Sequence, residues 1–123
     1  MPKPDFSKSP PDLVARFDAV AADYPEVPRR LSFGYPCLFV GGNMVTGLHG
    51  RGWFVRLGDA ALAEALALEG AGPFEVMPGR PMQGYALLPP AVIDDDTAVR
   101  HWVDRAIDYG ATLPPKAPKT PKT

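Results

Sequence analysis

Few side chains in this 123-residue sequence can do chemistry, and their spacing decides what that chemistry could be. Cys37, His49 and His101 are the soft or borderline metal ligands, and no C-x-x-C or H-x-x-x-H spacing joins them into a zinc set. Cys37 becomes a nucleophile only if His49 lies beside it and lowers its pKa. Its setting, Tyr35-Pro-Cys-Leu-Phe39, is an apolar strand start, where a free cysteine packs as a small hydrophobe. His49 falls at a hairpin end and is expected in solvent; His101, just before Trp102, is expected to face water. Ser7, Ser9 and Ser32 lack the flanking glycines of a nucleophile elbow. The series Gly47-x-x-Gly50-x-Gly52 leads into a strand and lacks the Gly-Lys-Ser/Thr ending of a phosphate loop. Asp94, Asp95 and Asp96 are adjacent acids, but neighbours at i, i+1 do not share a helix face. Their expected role is to cap a helix start.

The least generic segment is Met77-Pro-Gly-Arg-Pro-Met82. Two prolines around Gly79 make a stiff turn that aims Arg80, and the methionines offer adaptable apolar contacts. An arginine held this way suits a carboxylate, a phosphate or a partner carbonyl. The plainer reading puts Met77 and Met82 in the core and pairs Arg80 with a local acid. A pocket near Cys37, His49 and Arg80 would be a small-molecule site if the fold brings the three together.

Charge narrows the partners. All five lysines sit near the ends, at Lys3, Lys8, Lys116, Lys119 and Lys122. Between Asp12 and Leu113 eight arginines face thirteen acids, a balance of −5 that gives no overall attraction for a phosphate backbone. Nucleic acid is therefore disfavoured, with Arg29, Arg30 and Arg80 as its candidate contacts.

The elements that must position these residues follow from periodicity. Ser9-Pro-Pro-Asp12 opens a helix whose apolar stripe is Leu13, Val14, Phe17, Val20 and Ala21, running to about Tyr24 before Pro25 and Pro28. Leu31–Gly34 and Cys37–Val40 are strand-length runs joined by Tyr35-Pro36; Gly41-Gly-Asn43 and Gly50-Arg-Gly52 then mark hairpins. Trp53, Val55 and Leu57 share one strand face. Gly58-Asp59 starts a second helix through Leu68, with Leu62 stacked on Leu66. Phe74–Met77 and Gly84–Leu88 read as strands. A last helix buries Val99, Trp102, Val103 and Ala106 and is expected to stop at Gly110.

The order α-β-β-β(-β)-α-β-β-α predicts an α+β fold: an antiparallel sheet of five to six strands with helices packed mainly on one face. Residues 1–8 and the Pro/Lys-rich run 114–123 are expected to be disordered around one domain over 9–113. With 46% hydrophobic and 22% charged residues, the composition is that of a globular domain. One cysteine excludes an internal disulfide. There is no transmembrane-length apolar stretch and no secretory h-region, so a cytoplasmic protein without membrane contact is expected.

The basic pair Arg29-Arg30 with Leu-Ser-Phe-Gly34, then Leu38-Phe-Val-Gly-Gly-Asn-Met44, resembles the opening of the N-terminal domain of the TfoX/Sxy family. The likeness continues through Trp53-Phe-Val-Arg-Leu57, Phe74-Glu-Val-Met-Pro-Gly-Arg-Pro-Met82, Tyr85 and Trp102-x-x-x-Ala106. It implies a secretion-chaperone-like α+β fold. It also implies a bacterial, non-enzymatic regulator of transcription or competence, with no cofactor and no catalytic residues. Competence regulators of the family carry a further C-terminal helical domain, where this sequence has its Lys-Pro run. The function expected is a regulatory or adaptor domain acting through a protein partner, as a monomer or as a homodimer through an open sheet edge. Arg29, Arg30, Met77, Gly79, Arg80, Met82 and Tyr85 are the candidate contacts.

Overall fold

The computed structural model describes residues 8–75 and 79–115. Within them the order is α1 (Pro11–Ala21), β1 (Arg29–Ser32), β2 (Tyr35–Val40), β3 (Asn43–His49), β4 (Gly52–Arg56) and α2 (Asp59–Leu66). Then come β5 (Gly72–Pro73), β6 (Tyr85–Leu87), α3 (Pro90–Ile93) and α4 (Asp96–Thr112). The strands form one antiparallel sheet in the order β1-β2-β3-β4-β6-β5. The α+β class and the single sheet are as the periodicity predicts.

The helices cover one face. Leu13, Phe17 and Val20 from α1, Ala65 from α2, Ile93 from α3, and Val99, Trp102, Val103 and Ala106 from α4 pack on this sheet face. They meet Leu38, Val45, Leu48, Trp53, Val55, Ala86 and Leu88 there. A buried polar side chain in this layer is satisfied: Thr46 Oγ1 donates to the Phe54 carbonyl at 2.7 Å and accepts from Trp53 Nε1 at 3.0 Å. Asp95 caps α4, its carboxylate accepting from the Ala98 amide at 3.1 Å, as expected of the aspartate run.

Several boundaries differ from expectation, each for a physical reason. The first turn is Phe33-Gly34, not Tyr35-Pro36. Both turn residues have positive φ (53° and 83°), the type I′ signature, and Ser32 pairs with Tyr35 around them. Pro36 sits inside β2 because its missing amide faces β3, whose ladder starts one residue later at Cys37 and Gly47. The strand expected at Phe74–Met77 is instead Gly72–Pro73. Phe74 leaves the ladder to cover the sheet, and Met77 lies outside the described residues. The first helix stops at Ala21 and the second at Leu66; Ala65 is the buried residue of α2, while Leu66 is exposed. Gly110 does not stop the last helix, which runs on to Thr112. A Cβ there would lie on Val45 Cγ1 and within 3.2 Å of Val40 Cβ, so the glycine lets α4 approach the sheet.

A bulge adds one further adjustment. Leu38 pairs with Thr46 but Phe39 pairs with Met44, leaving Val45 as the extra residue. That slip sends Val45 to the helical side, against Gly110, and turns Met44 to the opposite face.

Candidate functional site

Strand alternation fixes what the second face carries. Because Trp53 and Val55 point to the helices, Phe54 and Arg56 point away, and the pairing places Cys37, Gly47, Tyr85 and Leu87 beside them. Cys37, Phe54, Phe74 and Tyr85 form a second buried cluster, with Phe39, Met44, Met82 and Leu87 half-buried around it. Among the described residues no helix contributes to this cluster.

The cluster is built from rings in contact. Phe54 stacks on Phe74 with centroids 4.2 Å apart and planes 11° from parallel, and Tyr85 meets Phe54 edge-on at 5.7 Å. His49 packs on Tyr35 at 4.8 Å and on Phe74 at 5.7 Å. It is therefore half-buried at the end of β3 and not a solvated turn residue. Gly47 is what permits the packing: a Cβ there would fall 2.4 Å from Cys37 Sγ and 2.8 Å from Phe54 Cζ. The segment carrying Phe74 is held by the Met82 amide, which donates to the Phe74 carbonyl at 2.8 Å. Glu75 accepts from the Gly79 amide at 3.1 Å.

Cys37 and His49 do come together, lining an apolar cavity of about 50 Å³ with Tyr35, Phe54, Phe74 and Met82. Its volume is far below the several hundred Å³ of a small-molecule site. Arg80 is exposed and is not part of its lining. Burial pushes the Cys37 thiol up to about 11, away from the thiolate a nucleophile needs. Among the described residues no group of three or more His, Cys, Asp or Glu side chains is placed to hold a metal.

Beside the cavity lies a shallow groove lined by Ser32, Phe39, Asn43, Met44, Arg56, Met82 and Tyr85. Each end carries a guanidinium on a ring: Arg30 over Phe39 at 5.0 Å, and Arg56 over Tyr85 at 5.6 Å. Met44 and Met82 lie between them. Burial raises the Tyr85 hydroxyl's pKa, partly offset by Arg56, and that hydroxyl donates to the Met44 carbonyl at 2.8 Å.

The expected contact residues thus divide. Arg30, Met82 and Tyr85 meet on this face. Arg29, one residue from Arg30, points to the other side and pairs with Asp18 of α1 at 2.7 Å. Gly79, at φ +80°, and Arg80 are exposed on the loop beyond the groove. Arg56, Phe39 and Met44 also belong to the surface and are not among the contacts the sequence predicts. The alternation of Trp53, Val55 and Leu57 carries the signal for Arg56, since it leaves Phe54 and Arg56 on the opposite side.

Charge is segregated in the same way. Asp18, Asp23, Glu64 and Asp96 hold Arg29, Arg100 and Arg105 in ion pairs on the helical side. Among the described residues Arg30 and Arg56 form no ion pair. The core balance of −5 averages a helical layer rich in acids with a sheet face that presents two arginines. His101 is exposed on α4, as expected.

Comparison with known proteins adds one finding. The family model for the TfoX N-terminal domain matches residues 18–109, which span α1 to α4 and include every strand. No curated protein and no solved structure matches the chain.

Proposed function

Because the chain belongs to the TfoX N-terminal domain family, we propose that it is a non-enzymatic regulatory or adaptor domain, serving transcription or competence control, that docks a protein partner on the face of its sheet opposite the helices. One observation carries the reading: Met44 and Met82 sit in an open groove between two arginines, each stacked on a ring and neither paired with a carboxylate among the described residues. Methionine side chains adapt to apolar partner residues. Stacked guanidiniums keep their N–H edges for a partner's carboxylates or carbonyls. The thiol at about 11 and the 50 Å³ cavity favour docking over catalysis. Two guanidiniums are a small footprint for a phosphate backbone, which keeps nucleic acid the second reading.

Photo-crosslinking tests the proposal. A crosslinking residue at Met82, on the groove, should trap a protein in cells, and one at Ala60, exposed on α2, should not. Trapping from Ala60 alone would move the docking face to the helical side. A nucleic-acid adduct from Met82 would replace the protein partner.

A further inference from the structure

The two ends of the sheet are unlike. At one end β5 is two residues long and contains Pro73, a poor template for another strand. At the other end β1 offers four residues, Arg29–Ser32, and among the described residues it has β2 on one side only. Leu31, on this edge, is 65% exposed, and Phe33, in the turn that follows, is 73% exposed. Phe33 also holds φ +53°, a backbone conformation that costs about 1–2 kcal/mol for a residue with a Cβ.

The hydrogen-bond phase of this edge is settled by its own hairpin. The Phe39 amide donates to the Pro28 carbonyl at 3.0 Å, so Pro28, Arg30 and Ser32 turn their backbone groups toward β2. Arg29 and Leu31 alternate with them and turn their amides and carbonyls outward. An added antiparallel strand must use those two residues.

We infer that β1 is a homodimer edge, pairing about a two-fold axis with β1 of a second copy, centred on Leu31. The phase leaves three two-fold registers. One opposes Arg29 to Arg29 and another opposes Arg30 to Arg30, and like charges directly opposite are destabilising. The third opposes Leu31 to Leu31, sets Arg30 against Ser32, and lays the Phe33 turn beside Arg29 of the other copy. It joins the two exposed leucines and avoids the arginine repulsion. A C2 interface must be self-complementary in this way. The sheet becomes continuous across the dimer and both grooves lie on one face of it. The pairing does not depend on the partner proposal above and goes beyond it.

Sedimentation of the full chain from about 5 to about 500 µM tests this. The expected result is a monomer–dimer equilibrium, with the Leu31 and Arg29 amides slowed in hydrogen exchange as dimer forms. Leu31→Pro removes a donor that the protein's own ladder does not use, and should weaken association at least tenfold. Leu31→Lys, which keeps every amide, guards against a folding defect in the proline variant and should weaken association equally. A monomer throughout the range overturns the inference, as does a dimer that both variants leave intact. Either result leaves the groove and its crosslinking test untouched.

Discussion

The hydroxyl of Tyr85 on β6 reaches across β4 and donates to the main-chain carbonyl of Met44 on β3 at 2.8 Å. That bond spans the sheet face opposite the helices. Its acceptor is placed by the bulge that turns Met44 out of the helical side. The groove therefore depends on one irregularity in a ladder and one side chain that locks it.

Tyr85→Phe tests the lock. The substitution keeps the ring beneath Arg56 and removes the donor. We expect a loss of about 1 kcal/mol, read as a fall in Tm of about 4 °C. An unchanged Tm would show that the bond contributes nothing to the face.

Gly110→Ala tests the approach of α4 to the sheet. Helix propensity alone favours alanine over glycine by about 1 kcal/mol. The new methyl would collide with Val45 and crowd Val40, and overpacking of this kind costs about 1–3 kcal/mol. The collision should win, because Val45 is held on the bulge, so thermal denaturation should show a lower Tm. A higher Tm would mean that the bulge can move aside.

Alkaline pH tests the buried thiol. Burial lifts Cys37 from 9.0 to about 11, and burial together with Asp104 lifts Tyr24 to about 12. Both groups lose their protons in the unfolded chain before the folded one. Stability is thus full below pH 9 and falls as pH rises through 11. For Cys37 the shift is worth about 3 kcal/mol. Chemical denaturation at stepped pH should show this fall, and Cys37→Ala should show a shallower one. A wild-type curve that is flat across the window would contradict the burial argument.

Much of this architecture is legible in the sequence. Leu13, Phe17 and Val20 announce the buried stripe of α1; Trp102, Val103 and Ala106 announce that of α4. The paired glycines at Gly41 and Gly42 mark their hairpin through positive φ. The first turn is missed because Phe33 occupies a conformation that asparagine or glycine usually fills. Gly110 misleads because a glycine near a helix end signals a stop or a close approach with the same letter. The groove is harder still. β2 and β4 are buried on both faces, so apolar alternation does not say which face the helices take. Arg29 and Arg30 read as one basic pair, yet the period of two places them on opposite sides of the sheet.

The most direct measurement is the affinity of the captured partner for the wild type and for an Arg30→Ala, Arg56→Ala double variant. Both side chains are outside the ion pairs of the described residues, so the variant should stay folded, with the loss of its two ring contacts lowering Tm by no more than about 8 °C. Affinity should fall at least tenfold, the equivalent of about 1.4 kcal/mol. Undiminished affinity in a folded double variant would contradict docking on this face.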